Sequence, residues 1–193
     1  MRSFYAFLLP ALWTAFVVYW RLMSANVKGT RRFEAAPSRI TRLILFLVAI
    51  ALLFLPESTF PWLTWLYESP LVPSEWTFFG GVVLTVAGLL FSIWARHQLG
   101  RNWSLTVTLK DDHELIVTGP YALVRHPIYT GLLVGFLGTA IAIMQVRSIL
   151  ALILILIALW TKIRMEERLM RDHFGAQYDV YSQRVSALIP YVF

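Results

Sequence analysis

Apolar runs of about twenty residues recur along this chain, and few folds can accommodate them. The first run is FYAFLLPALWTAFVVYWRLM, and others follow at about 41–66, 76–97, 127–145 and 147–162. A helix needs about 20 mostly apolar residues to cross a hydrocarbon core of roughly 30 Å. Of the 193 residues, 58% are hydrophobic and 15% are charged, whereas about a quarter of a soluble domain is charged. The sequence therefore predicts an all-α integral membrane protein with about five transmembrane helices.

The limits of these spans depend on local signals. The first run begins at about residue 4, lacks the strongly basic start and small-residue cleavage site of a signal peptide, and is too long for one, so we expect it to be retained. The second run, 41–66, is interrupted by Pro56 and Pro61. The last two runs are separated by 145–148 alone, which predicts an antiparallel terminal hairpin.

Charge asymmetry predicts how the spans are oriented. Lys and Arg are concentrated in three regions, which are 21–42, the loop 96–125 and the tail after residue 160. The segment 56–75 contains acids but neither Lys nor Arg. Because basic loops stay in the cytoplasm, we expect all three basic regions there and the N-terminus outside. We therefore attribute the net charge of +6 mostly to this orientation signal and to attraction between the protein and anionic lipid. No basic stretch is interleaved with aromatic residues in the way that is typical of nucleic-acid binding.

Polar residues divide the chain into two parts. About half of all charged residues lie after Arg96, in one loop and one tail that flank the predicted hairpin. We therefore expect N-terminal transmembrane helices over 1–95 and a cofactor-binding catalytic region over 96–193. Loop and tail would meet at the boundary between water and lipid, where a polar cofactor and an apolar substrate can be handled together.

The motif GPYALVRHPIYTG, at 119–131, places polar side chains where the fourth span begins. Gly119-Pro120 is a turn signal, His126 precedes a proline and is biased away from helical geometry, and Pro127 suits the first helical turn. The free N–H groups of that turn and the helix dipole favour an anion. Taken singly, Arg125 and the two tyrosines are typical of a membrane interface. Their clustering favours a binding site.

Glycines follow the motif along the same helix. Gly131, Gly135 and Gly138 form a small-residue face that includes a GxxxG pattern. This pattern is typical of close helix packing, and we expect it to tighten the terminal hairpin.

An acidic pair lies where the fifth span leaves the membrane. Glu166 follows Lys162 by four residues, and Glu167 precedes Arg171 by four, so both acids have possible partners on their own helix. Gly175 is expected to end this helix. A solvated charged face and a role at a site both remain open for the pair.

Together, HELIVTGPYALVRHPIYTG, EERLMRDHFGAQYDVYSQRV and the closing LIP resemble the isoprenylcysteine carboxyl methyltransferases and the related phospholipid methyltransferases. The resemblance covers roughly the second half of the chain. It implies S-adenosylmethionine-dependent methyl transfer, at the cytoplasmic membrane face, to a lipid-like acceptor. The expected acceptor is the carboxylate of an isoprenylcysteine-type substrate. Lys162 stands where the family has an arginine, and the chain is shorter than the eukaryotic enzymes.

The resemblance also implies site residues. The expected cofactor-binding residues are His113, Glu114, Leu115, Ile116, Tyr121, Arg125, His126, Pro127, Ile128, Tyr129 and Glu166. The expected catalytic residues are Arg96, Lys162, Arg164 and Glu167. A carboxylate acceptor would need a cation to orient it, whereas an amine acceptor would need a base such as Glu167 or His126. No metal site is expected.

Two other functions remain open. A membrane reductase of the sterol or steroid type would use NADPH and could hold its phosphates with Arg96, Arg101, Arg125 and Arg164. A membrane scaffold without catalysis would not explain the clustering of His126, Tyr129 and Glu166. The sequence leaves the oligomeric state and the identity of the acceptor open.

Overall fold

A computed structural model describes residues 2–23, 30–32, 36–59, 61–72, 74–100, 109–110 and 115–191. Its main elements in chain order are α1 (Arg2–Met23), β1 (Thr30–Arg32), α2 (Ala36–Phe54), α3 (Glu75–Leu99), β2 (Leu109–Lys110), α4 (Pro127–Ile143), α5 (Val146–Phe174) and α6 (Ala176–Arg184). Short 3-10 helices cover Glu57–Thr59, Thr64–Tyr67 and Gly119–Ala122. Helices therefore dominate the described residues.

Within the described ranges, three helices are long and apolar enough to cross a membrane, namely Pro37–Phe54, Glu75–Leu99 and Val146–Phe174. Two shorter apolar helices, Phe7–Met23 and Pro127–Ile143, accompany them. These five helices coincide in order with the five predicted spans. The prediction of a helical integral membrane protein is confirmed.

The second span differs from its predicted limits of 41–66. Helix α2 begins at Ala36 and ends at Phe54, and two 3-10 helices follow it. Pro56 explains this end, because proline lacks an N–H and disfavours helical geometry in the residue before it. The aromatic and apolar residues that follow Pro56 thus extend the run in sequence, but α2 does not continue into them.

A single apolar core joins the five long helices. Trp13 of α1 stacks on Phe136 of α4 with ring centroids 4.1 Å apart. The buried members of the core are Trp13, Phe16, Ala49, Leu53, Leu89, Phe136, Ala151, Ile155 and Leu159. Every long helix contributes at least one of them, so the N-terminal spans pack directly against the two that carry the motifs.

The glycine face of α4 packs against α3, and not against α5 as the predicted hairpin implied. A Cβ atom on Gly88 of α3 would lie 2.4 Å from the Gly131 carbonyl oxygen, and one on Gly138 would lie 2.5 Å from the Thr85 backbone nitrogen. Backbones approach this closely where both helices carry small residues. Helix α3 supplies them at Gly81, Thr85, Gly88 and Ser92, whereas the apolar part of α5 is mostly Leu and Ile.

Polar side chains along this α3–α4 contact are satisfied within the protein. The Trp13 indole nitrogen donates to the Thr139 hydroxyl at 2.9 Å, and the Ser92 hydroxyl donates to the Ile128 carbonyl oxygen at 3.0 Å. Because lipid offers no hydrogen-bonding partners, such pairing is required at this depth. The Ser92 bond also ties the start of α4 to α3.

A short antiparallel ladder links two loops at one end of the bundle. Strand β1 pairs with β2, with Thr30 opposite Lys110 and Arg32 opposite Leu109. This pairing is a small exception to the all-α prediction. We call this end of the bundle, where α3 and α5 end and α4 begins, the site end.

Candidate active site

The motif at 119–131 forms a rigid corner at the site end. Gly119–Ala122 is a 3-10 helix, and Gly119 has a φ of +61°, which glycine adopts without strain. His126 precedes α4 with φ −122° and ψ 60°, and Pro127 occupies the first turn. The geometry predicted for this Pro127 start is confirmed.

The chain after α6 holds this corner in place. Residues 186–188, which we call the strap, run alongside it and accept three hydrogen bonds. The bonds are Arg125 N–H to the Ser186 oxygen (2.8 Å), His126 N–H to the Ala187 oxygen (3.0 Å) and the Thr130 hydroxyl to the Leu188 oxygen (2.7 Å). The strap therefore satisfies backbone donors that the non-helical corner leaves unpaired.

Arg125 and Glu167 form a nearly buried ion pair between the corner and α5. The Arg125 Nε and Nη2 atoms lie 2.9 and 2.6 Å from Glu167 Oε1. Arg125 Nη1 donates to the carbonyl oxygens of Ser182 and Val185. Glu167 lies 3.6 Å from Arg171, the partner that its spacing suggested, so Arg125 is the closer partner. The pair joins three parts of the chain, which is a positioning role.

Glu166 faces the other side of the corner. Its Oε1 accepts a hydrogen bond of 2.6 Å from the Tyr129 hydroxyl. Lys162 Nζ lies 3.9 Å from the same oxygen and 5.3 Å from the centroid of the Tyr129 ring. The Lys162–Glu166 pair expected from the spacing is thus present, and Tyr129 is added to it.

His126 lies between the two glutamates. Its Nδ1 is 3.7 Å from Glu166 Oε2, and its Nε2 is 3.4 Å from Glu167 Oε1. Its ring is nearly parallel to that of Tyr129, with centroids 5.7 Å apart. The corner and the exit of α5, distant in sequence, therefore meet in one cluster.

An apolar wall borders this polar cluster. Its buried residues are Ala95, Tyr121 and Ile128, and Trp20, Leu99, Ile116, Tyr129 and Leu132 pack against them. Burial, together with the negative charge of Glu166, raises the pKa of the Tyr121 phenol well above its usual value. Its hydroxyl therefore stays protonated at physiological pH. The wall therefore presents apolar side chains and one protonated hydroxyl beside the polar cluster.

Four of the expected cofactor residues come before the corner. Ile116 packs in the apolar wall and Leu115 is half-buried. His113 and Glu114 lie outside the described residues. Their predicted contacts stay predictions.

Two of the expected catalytic cations have their described contacts outside the cluster of His126, Tyr129 and Glu166. Buried Arg96 donates to the carbonyl oxygens of Gly100 (2.7 Å) and Met23 (2.8 Å), so it ties the end of α1 to the end of α3. Exposed Arg164 lies 6.0 Å from the Trp160 ring on another face of α5. Of the three expected cations, Lys162 is the one that the structure brings to Glu166 and Tyr129.

Comparison with known proteins agrees with this geometry. The sequence profile of the phospholipid methyltransferase family matches residues 76–177, which is more than half of the chain. The chain belongs to the phospholipid methyltransferase family. The family resemblance expected from the motifs is confirmed.

The names of two similar proteins specify different methyl acceptors. A probable protein-S-isoprenylcysteine O-methyltransferase of Oryza sativa subsp. indica is 32% identical over 58% of this chain and 60% of its own length. Methanethiol S-methyltransferase 1 of Bradyrhizobium diazoefficiens is 42% identical over 37% of this chain and 24% of its own length. This chain thus matches less than two thirds of either relative.

A solved structure has the same fold. The eukaryotic intramembrane Ras methyltransferase, isoprenylcysteine carboxyl methyltransferase, superposes with a TM-score of 0.60 at 24% identity. The superposition covers 82% of this chain and 54% of the larger one. The two chains therefore share a helical fold.

Sequence reasoning missed Arg42, which belongs to α2 and lies before the matched family region. Its side chain is 8% exposed, and its Nη1 donates to the Ser38 hydroxyl at 2.9 Å. Its Nη1 also lies 3.8 Å from the sulfur of Met165, which directly precedes Glu166 on α5. Arg42 was counted with a basic loop, although its position inside a predicted span was a signal that it has an internal role.

The strap was also missed, and so was the contact that α6 makes with the corner. The Tyr181 hydroxyl donates to the Tyr121 carbonyl oxygen at 2.6 Å, and α6 thereby holds the 3-10 turn from outside. The helical spacing of Tyr178, Tyr181 and Arg184 indicated a helix, but no pattern indicated which segment it would hold.

Proposed function

We propose that this protein is an S-adenosylmethionine-dependent methyltransferase that acts at the cytoplasmic membrane face. Its expected acceptor is a lipid-like carboxylate of the isoprenylcysteine type. The observation that carries this proposal is the meeting of the His126 corner and the exit of α5, through the 2.6 Å hydrogen bond from Tyr129 to Glu166. Membership of a family named for methyl transfer favours this function over the reductase that would use NADPH.

The residues at the site end suit this cofactor. Helix α4 begins without a side-chain cap at His126, so the backbone N–H groups of Ile128 and Tyr129 can receive the methionine carboxylate. The Tyr121 hydroxyl makes no hydrogen bond to any described residue and can meet the nucleoside. Glu166 can hold the ammonium or ribose hydroxyl groups, and Ile116 belongs to the adjoining apolar wall.

When bound, S-adenosylmethionine supplies a methyl group on a positive sulfur, which a carboxylate takes by displacement without releasing a proton. The chain therefore has to hold the acceptor in line and exclude water, and positioning of this kind can contribute roughly 7–11 kcal/mol. Lys162 is a cation in the right place to orient the acceptor. Arg96 and Arg164 are engaged elsewhere in the described structure.

An amine acceptor is less compatible with the site. It would need a base, and the nearest candidates are Glu167 and His126. Both oxygens of Glu167 are engaged with cations, because Arg125 lies 2.6 Å from one and Arg171 lies 3.6 Å from the other. A carboxylate held in this way is a weak proton acceptor. We therefore favour the carboxylate acceptor.

The cytoplasmic orientation rests on the charge distribution. The loops and tail at the site end contain most of the Lys and Arg, whereas 56–75 at the opposite end contains neither. The positive-inside rule then places the site beside the inner leaflet. There a polar cofactor is accessible from water and a prenyl chain from the bilayer.

The test uses the full chain in lipid nanodiscs. We expect S-adenosylhomocysteine to raise the unfolding temperature and NADPH to leave it unchanged. With radiolabelled S-adenosylmethionine, the label should pass to N-acetyl-S-farnesylcysteine. Stabilisation by NADPH alone would favour the reductase, and an absence of effect from both nucleotides would favour a scaffold.

A further inference from the structure

An exposed stripe on α5 changes from apolar to cationic where this helix reaches the site end. Ile153, Ile157 and Trp160 are large exposed hydrophobic side chains. Arg164 and Arg168 follow Trp160 by one and two helical turns, and both are exposed. Because residues about four apart lie on the same side of a helix, these five side chains form one outer surface, which we call the α5 stripe.

The order of residues along the α5 stripe matches the layers of a bilayer. The isoleucines suit the hydrocarbon core, and tryptophan prefers the boundary between hydrocarbon and headgroups. A helix rises 1.5 Å per residue, so the backbones of Arg164 and Arg168 lie about 6 and about 12 Å beyond that of Trp160. The polar layer on each side of a bilayer is roughly 5–8 Å thick. Both guanidinium groups can therefore reach the lipid headgroups.

The charges at the exit of α5 are separated by sign. Glu166 and Glu167 both bond to residues of the corner. Arg164 and Arg168 form no ion pair with any residue that the structure describes. The Arg164 Cζ atom lies 6.0 Å from the centroid of the exposed Trp160 ring, which belongs to the α5 stripe. The acids of the exit thus serve the protein interior, and the two arginines face outward.

Two unpaired arginines one turn apart favour an anion between them. Like charges four residues apart destabilise a helix, and a bound anion would remove this repulsion. A guanidinium presents parallel donors that match the oxygens of a phosphate. A free phosphate would use only the cationic end of the α5 stripe. A phospholipid would use all of it, because its acyl chains would lie along Ile153 and Ile157.

We propose that Arg164 and Arg168 bind the phosphate of an anionic phospholipid in the leaflet at the site end. Trp160 would lie beside the glycerol backbone of this lipid. The proposal does not depend on methyl transfer, and it assigns Arg164 to the bilayer instead of to the methyl acceptor. A lipid bound here would hold the exit of α5, and with it Glu166, at a fixed depth.

The test measures lipid affinity on the full chain in detergent by native mass spectrometry. The protein is titrated with phosphatidylglycerol, with phosphatidylcholine and with soluble glycerol phosphate. The variants are Arg164→Gln, Arg168→Gln and the two changes combined. Arg184→Gln is the control, because it removes the same charge from an exposed position on α6. Circular dichroism establishes that each variant keeps its helices.

We expect the unmodified protein to bind phosphatidylglycerol at least tenfold more tightly than phosphatidylcholine. Each change on α5 should weaken phosphatidylglycerol binding about fivefold, which is what one arginine near an anionic membrane surface contributes. The combined variant should lose most of the preference, and Arg184→Gln should keep it.

Three results would overturn the proposal. One is a combined variant that keeps the full preference for phosphatidylglycerol. The second is an equal loss in Arg184→Gln, because the attraction would then depend on net charge and not on the α5 stripe. The third is binding of glycerol phosphate as tightly as phosphatidylglycerol, because the apolar part of the α5 stripe would then contribute nothing.

Discussion

Two adjacent glutamates at the exit of α5 have different surroundings. Glu166 accepts a hydrogen bond from Tyr129 and faces the proposed cofactor site. Glu167 is paired with Arg125 and packs the corner against α5. Successive helical residues are about 100° apart, so one of them can line a site while the next supports it.

Replacing Glu166 tests its proposed contact with the cofactor. We expect Glu166→Gln to weaken binding of S-adenosylhomocysteine at least tenfold, because a neutral amide holds a cationic ligand less strongly (roughly 1.5–3 kcal/mol). Isothermal titration in nanodiscs measures this change. Unchanged affinity would remove Glu166 from the site and would favour a scaffold.

Replacing Glu167 should chiefly affect stability. Glu167→Gln leaves the Arg125 guanidinium nearly buried without its carboxylate, and breaking such a pair costs about 3–5 kcal/mol. Thermal unfolding in detergent should show a lower transition temperature than for Glu166→Gln. Adding Arg125→Gln should recover part of this loss, and strictly additive losses would contradict a direct pair.

Residue-level prediction succeeded where a motif carried the information. The RHPIY corner and the acidic pair predicted that His126, Tyr129 and Glu166 would cluster. The partner of Glu167 was not predictable, since helical spacing indicated Arg171 while the closer Arg125 comes from a segment 42 residues away. Arg42 was missed for a similar reason, because its contact with Met165 arises from packing between α2 and α5.

Helices α3 and α4 are the closest pair of elements, and their small residues make this possible. Gly88 faces Gly131 and Gly135, whereas Gly80 has no atom within 4 Å of where a Cβ would lie. Gly80 therefore serves as a matched control on the same helix.

We expect Gly88→Ala to separate the two helices. The added methyl group would lie 2.4 Å from backbone atoms of α4, and overpacking of this kind costs about 1–3 kcal/mol or more. A lower unfolding temperature should be accompanied by weaker cofactor binding, because α4 carries the corner. Gly80→Ala should be neutral or slightly stabilising. If Gly88→Ala and Gly80→Ala changed the unfolding temperature equally, the contact between α3 and α4 would not be tight.

At the level of elements, apolar periodicity predicted five helices in the right order. The end of α2 was misplaced because an apolar composition continues beyond Pro56. The predicted partner of the glycine face of α4 was wrong. The short connection between α4 and α5 suggested α5, whereas the glycines pack against α3. The matching small residues of α3 were present in the sequence but were not compared with those of α4.

Across the whole molecule, the candidate site is built from three distant stretches. The corner, the exit of α5 and the strap are held together by backbone hydrogen bonds as well as by side chains. The division of the chain at residues 95 and 96 stays a prediction. The contact of Arg42 with Met165 and the packing of Trp20 against the apolar wall show that the N-terminal part also reaches the site end.

Removing the strap should abolish cofactor binding while the helices remain. Deletion of 186–193 takes away the acceptors for the Arg125 and His126 N–H groups, and each buried unpaired donor costs about 1–3 kcal/mol. Circular dichroism and S-adenosylhomocysteine titration measure the two effects.

Deletion of 191–193 is the control for this experiment, because it keeps all three strap hydrogen bonds. If the protein without residues 186–193 bound S-adenosylhomocysteine normally, the corner would keep its geometry without the strap.

The position of the strap near the end of the sequence has a consequence for the order in which the corner is completed during synthesis. Residues 186–188 leave the ribosome after all five long helices, which can already have entered the bilayer by then. Until those residues emerge, the backbone donors of Arg125 and His126 lack their partners. A nascent chain halted before this point would have its long helices but would lack the hydrogen bonds with which the strap holds the corner.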